Sequence, residues 1–177
     1  MLGMVPDSLL VHFEHVCEHS EGHEEHDHDL EGIDPHFWTD PFTVKHILPK
    51  LTDTLCSLDP QNAEKYKANS AAFSKKLDAL CQRVQKELAP FKGRAVFLFH
   101  PSFLYLLRSA GLKFGGAIEL APGKEPSPKY ISDLANSIHR AGCKAIYSEP
   151  QLPEAPAKTV AEICKVELLM LDPIGGA

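Results

Sequence analysis

The stretch from Ala95 to Leu171 admits few architectures. Ala95-Val96-Phe97-Leu98-Phe99 is a short unbroken apolar run, the pattern of a strand buried on both faces of a parallel sheet. His100-Pro101 follows at once, then Phe103, Leu104, Leu107 and Ala110 at helical spacing, closed by Gly111. Lys113–Ile118 reads as a second strand, and 121–126 as a loop. Ser127-Pro128 caps a helix carrying Ile131, Leu134 and Ile138 as far as Gly142. Ala145-Ile146-Tyr147 is a third strand, Glu154–Lys165 a helix, and Leu168–Leu171 a fourth strand. Strands alternating with helices through short links predict a doubly wound α/β lobe with a parallel sheet. Such a sheet is expected to carry one more helix, so the ending at Ala177 reads as a truncation.

Upstream the pattern is helical. Asp40 reads as an N-cap with Pro41 at the first helical position. Val44, Ile47, Leu48, Leu51, Leu55 and Leu58 then give one amphipathic helix. Asp59-Pro60 starts another, with Tyr66, Phe73, Leu77, Leu80, Val84 and Leu88 on one face until Pro90. About thirty residues at 1.5 Å each make a rod of about 45 Å, long enough to link two lobes.

The 177 residues are 44% apolar and 24% charged, enough for a globular core. A net charge of −6 without a Lys/Arg cluster argues against nucleic acid as partner. No apolar run approaches a membrane span, and residues 1–11 lack the basic start and small-residue cleavage site of a signal peptide. The five cysteines show no C-x-x-C pairing, so a zinc knuckle or disulfide framework is not expected. Histidine is the anomaly. Six of the ten (His12, His15, His19, His23, His26 and His28) lie among glutamates and aspartates. That composition predicts a mobile segment over 1–31 whose imidazoles and carboxylates could hold divalent metal loosely; the bland reading is an incidental His-rich tail.

Asp34-Pro35-His36-Phe37-Trp38-Thr39-Asp40-Pro41 sets a histidine between two Asp-Pro steps that stiffen the backbone on either side. Ligands of open parallel sheets bind beyond the carboxyl ends of the strands. His100 follows the first strand there and Asp172 the fourth; with His36 they form an N, N, O set suited to zinc, and less to manganese. Glu149, after the third strand, is a candidate supporting group. Each has a plainer reading: a packed histidine, an Asp-Pro turn, a turn glutamate. His46 and His139 lie mid-helix and read as surface or packing residues.

In this order and spacing the motifs resemble the zinc-binding solute-binding proteins of bacterial metal ABC importers, the cluster A-I or ZnuA-type family. The matching pieces are the acidic His-rich segment, the 34–41 motif and Phe99-His100-Pro101-Ser102-Phe103-Leu104-Tyr105. They continue with Gly123-Lys124-Glu125-Pro126-Ser127-Pro128, Ser148-Glu149-Pro150-Gln151 and Leu171-Asp172-Pro173. The resemblance implies two α/β lobes joined by a long backbone helix, with metal between them. It assigns His36, His100 and Asp172 as ligands, with histidine at 100 on the zinc side of the family. It divides the chain into a His/acid-rich loop (1–31), a remnant of the N-terminal lobe (32–58), the linking helix (59–90) and the C-terminal lobe (91–177). Another histidine ligand of the family has no counterpart here, and Leu104 stands where relatives usually carry glycine.

The implied function is capture of Zn²⁺, with Mn²⁺ less favoured, in the periplasm or at the cell surface, and delivery to an ABC importer permease, with no catalytic substrate. Two rivals stand beside it. A zinc hydrolase would need Glu149 or Glu119 as general base, and no H-E-x-x-H motif is present. A non-transporting fragment or zinc buffer would bind through the His-rich segment alone.

Overall fold

Asp40 caps the first long helix as its sequence predicts. The computed structural model describes residues 1–13, 32–119 and 126–176. Helix α1 spans Pro41–Leu58, and the Asp40 carboxylate accepts from the amides of Phe42 and Thr43. It also accepts from the Thr43 hydroxyl at 2.7 Å and the Ser109 hydroxyl at 2.8 Å, while fully buried. Pro49 lies inside α1 without ending it, on an exposed face. A 3₁₀ turn at Pro60–Asn62 leads into α2, Ala63–Leu88. The short link folds α2 back along α1, where Lys45 pairs with Asp78 and the Thr52 hydroxyl donates to Ser70 at 2.7 Å. At 1.5 Å per residue α2 is about 39 Å long. Of its expected apolar stripe only Leu77 is buried, with Cys81; Phe73 and Leu80 are exposed.

The sheet follows. Strand β1 is Ala95–Leu98, α3 Leu104–Ser109, β2 Lys113–Ala117, α4 Pro128–Arg140, β3 Ala145–Ser148, α5 Glu154–Cys164 and β4 Glu167–Met170. The four strands are parallel in the order β2-β1-β3-β4. The expected α/β class is therefore the observed one. Strand-type bonds run past the named ends, with Phe99 N donating to Tyr147 O and Leu171 N to Ser148 O. Side-chain alternation splits the sheet into two faces. Phe97, Phe99 and Ile146 pack under α4 and α5 with Leu134, Ile138 and Val160. Leu98 packs with Phe103 and Leu107 on the α3 side. Ser127 caps α4 through its hydroxyl, as expected.

One local device was not anticipated. The β1–β2 register slips between Val96 and Phe97, so that Phe97 opposes Gly116 and Gly115 is skipped. A Cβ on Gly115 would sit 2.6 Å from the Phe97 ring; one on Gly116, where φ is +144°, would sit 2.7 Å from Leu134. The glycine pair thus makes room for the largest core side chain on β1.

Residues 1–13 do not share the mobility expected of 1–31. They are packed: Val5, Val11 and Phe13 are buried with Phe37, Ile47, Leu104 and Tyr105. His12 bridges Ile33 in antiparallel fashion and Phe13 N donates to Gly32 O. Apolar residues at 2, 4, 5, 9, 10, 11 and 13 supply the burial that an acidic His-rich composition cannot. Leu104 joins the same cluster, so the leucine fills a core site. His15, His19, His23, His26 and His28 lie outside the described residues.

Because Asp40 accepts four hydrogen bonds while buried, Asp40→Ala removes a cap and strands the Thr43 and Ser109 hydroxyls. A loss of about 2–4 kcal/mol is expected, measured as a lower urea midpoint with unchanged m. A loss below about 1 kcal/mol would show that the cap and its seam to Ser109 are dispensable.

Candidate metal centre

The strand order sets a crevice. From β1 the chain turns to one side, through α3 to β2, then crosses back to β3. Neighbouring strands β1 and β3 therefore flank the point where the winding reverses, the usual ligand position in such sheets. His100 stands just past β1 and Glu149 just past β3.

His36 reaches this crevice from the 34–41 motif. A 3₁₀ turn, Phe37–Thr39, follows it, and the Thr39 hydroxyl is held by the carbonyls of His36 at 2.8 Å and Ser102 at 3.0 Å. The His36 and His100 rings meet edge to face, their centroids 5.2 Å apart. Trp38 packs against His36 at 5.3 Å, and its indole N–H donates to Pro173 O at 3.0 Å. That bond brings the loop bearing Asp172 to the same crevice.

Each imidazole has one hydrogen-bonding direction already set. The Nδ1 of His36 lies 2.6 Å from Oδ1 of Asp34. The backbone of Glu119 hydrogen-bonds the ring of His100. Burial, followed by the proximity of His36, holds His100 below the ordinary imidazole range, so the ring is neutral and available as a donor at pH 7.

The carboxylates behave differently. Glu149 is buried and accepts the Ser102 hydroxyl at 2.5 Å. Burial pushes its carboxyl above the usual range, with Asp172 adding to the rise and the Ser102 bond and His36 opposing it. Asp172 is turned into its own loop. Its Oδ1 accepts from Gln151 Nε2 at 2.8 Å and Ile174 N at 2.9 Å, and its Oδ2 from Gly176 N at 2.6 Å. Those bonds, Gln151 first, hold it below the usual carboxylate range.

The structure thus brings His36 and His100 together but does not gather all three expected donors. Among the described residues no three His, Cys, Asp or Glu side chains form a group able to hold one ion. The physical reason lies in the Asp172 loop, whose amides and Gln151 occupy both carboxylate oxygens. His46 and His139 are exposed, as expected of surface positions. Sequence reasoning passed over the Asp34 side chain and Gln151. Their only sequence signal was adjacency to the motif residues.

Over residues 5–177 the chain matches the family described as "ZnuA: Zinc-uptake complex component A periplasmic". It belongs to that family. A relative named high-affinity zinc uptake system protein ZnuA, from Brucella abortus, is 36% identical over 142 residues, covering 80% of this chain and 42% of the relative. The zinc-binding protein AdcA of Streptococcus pyogenes is 31% identical over 169 residues, covering 93% of this chain and 33% of that protein. A crystal structure of ZnuA aligns with a TM-score of 0.75 at 30% identity, covering 85% of this chain and 56% of that one. The chain spans less than half the length of these curated relatives, and its fold is that of the ZnuA-type binding proteins.

The raised Glu149 carboxyl has a stability consequence. A group whose folded-state pKa is raised contributes stability below its unfolded value, and that stability is lost as pH rises through the folded value. Glu149→Gln, which keeps a carbonyl for Ser102, is therefore expected to raise the urea midpoint at pH 7, with the gain shrinking toward pH 4. A gain that is equal at both pH values would locate the effect in packing instead of charge.

Proposed function

We propose that this chain captures Zn²⁺ outside the cytoplasm for delivery to an ABC importer permease. The observation that carries the reading is the pair of imidazoles at the reversal point of the sheet, each held in place by a hydrogen bond on one side. In the proposed site His36 and His100 give imidazole nitrogens and Asp172 gives carboxylate oxygen. Relatives named for zinc uptake and zinc binding, and a ZnuA deletion mutant crystallised with zinc at 30% identity and TM-score 0.75, support the choice of ion. Two neutral nitrogens and one carboxylate suit zinc better than manganese, which favours oxygen donors.

Capture is then a conformational step. Zn²⁺ arriving at the two imidazoles attracts the Asp172 carboxylate, which exchanges its bonds to Gln151, Ile174 and Gly176 for the ion. That exchange costs three hydrogen bonds, so release to a permease is easier than from a rigid closed cage. Trp38, bonded to Pro173, keeps the carboxylate loop beside His36 in both states. The role proposed for His12 and residues 14–31 is accessory: to raise the local metal concentration.

The test is a competition titration with Zn²⁺ and Mn²⁺ on the full chain, on a variant with residues 14–31 replaced by a short turn between Phe13 and Gly32, and on His36→Ala and His100→Ala. One tight Zn²⁺ site is expected to survive loop removal. Each alanine variant is expected to weaken it by more than about 100-fold, beyond the 10–100-fold that follows loss of an outer partner. Protons compete for the imidazole nitrogens, so affinity is expected to fall from pH 7.5 to 5.5. Binding that vanishes with residues 14–31 and ignores the alanine variants would instead establish the zinc-buffer reading.

A further inference from the structure

Asp34 lies fully enclosed beside the crevice, and in the binding scheme above it enters only as the hydrogen-bond partner of His36. Its Oδ1 accepts the His36 backbone amide at 2.9 Å and faces His36 Nδ1 at 2.6 Å. Among the described residues its buried Oδ2 has no hydrogen-bond partner. The backbone around it is pinned from two sides. Asp34 N donates to Val11 O at 2.8 Å, and the Tyr105 hydroxyl donates to Asp34 O at 2.9 Å. Val11 N in turn donates to that same hydroxyl at 3.3 Å, and Tyr105 is itself fully buried.

From this geometry we infer that Asp34 is the positioning residue for His36, fixing its ring as the Nδ1–H tautomer with the Nε2 lone pair directed away from Asp34. The inference rests on the zinc-capture reading and adds a residue to it. A turn that needed only a cap for the His36 amide would be served by an asparagine. A carboxylate does two further things. An ionised carboxylate only accepts, so the short contact between Oδ1 and Nδ1 calls for the ring proton on Nδ1. It also places a negative charge against a ring that becomes more positive when a divalent ion binds at the opposite nitrogen, strengthening the donor. The unpartnered Oδ2 makes the metal-free pair unfavourable in isolation, since a buried acceptor without a donor is costly. That cost is offset when the ring carries a cation. Residues 1–13 enter the metal site by this route, because Val11 and Tyr105 hold the carboxylate where it is.

Two measurements on the full chain test it. Long-range ¹H–¹⁵N correlation at pH 8, without metal, is expected to show His36 as the Nδ1–H tautomer; an Nε2–H tautomer overturns the inference whatever any variant does. Asp34→Asn, titrated with Zn²⁺ against a chelating indicator, is expected to bind about 10–100-fold more weakly with its metal-free urea midpoint retained. Parent-like affinity in Asp34→Asn, alongside lost affinity in His36→Ala, overturns the positioning role while leaving zinc capture standing. Parent-like affinity in His36→Ala removes His36 from the site and overturns both.

Discussion

The docking of α3 against the 34–41 turn is the constraint on which the crevice depends. Three polar links cross that seam: the Tyr105 hydroxyl to Asp34 O, the Ser109 hydroxyl to Asp40, and the Thr39 hydroxyl to Ser102 O. Each joins a group on or just before α3 to the motif that carries His36. Buried polar groups are costly unless paired, so each link specifies one arrangement and penalises others. Since α3 follows His100 directly, fixing α3 to the turn fixes the distance between the two imidazoles. The apolar cluster of Phe37, Ile47, Leu104 and Tyr105 supplies attraction across the seam, and the hydroxyls supply register.

The parts of the fold legible in the sequence are those dictated by local periodicity. Ala95–Phe99 is an unbroken apolar run too short for a helix and bounded by Gly93 and Pro101, which reads as a buried strand, and Asp40-Pro41 and Ser127-Pro128 announce helix starts through backbone chemistry. Residues 1–13 were misjudged because their apolar positions follow no period; they lie in 3₁₀ turns and one isolated bridge, where burial is set by distant partners such as Leu104. The Gly115-Gly116 bulge was equally invisible, since its cause is a ring on a neighbouring strand. For the candidate site, the imidazole pair was foreseeable from a rigid turn and a strand end. The state of Asp172 was not, because it depends on amides at 174 and 176 and on Gln151, which no spacing rule connects to it.

The site also shows two ways of keeping a carboxylate near histidines. Asp172, partly exposed, is stabilised as an anion by its own loop and is therefore ready to exchange those amides for a cation. Glu149 is buried beside Ser102, and its charge is disfavoured. On the zinc-capture reading, a cation entering the crevice would relieve both conditions, by replacing donors in the first case and by neutralising repulsion between Glu149 and Asp172 in the second. The negative field of the two carboxylates would then also draw the ion in.

This coupling bears on why the imidazoles are half enclosed instead of fully exposed. Enclosure favours neutral His100, so that on the zinc-capture reading no proton need leave it before metal binds at pH 7. Complete burial would close the path for exchange, and full exposure would surrender the orientation that Glu119 and Asp34 impose. An uptake component must bind a scarce ion and yet give it up. On the zinc-capture reading, a pair of pre-oriented imidazoles with one carboxylate on an adjustable loop would meet both needs: the nitrogens would set the affinity, and the loop how readily the ion leaves.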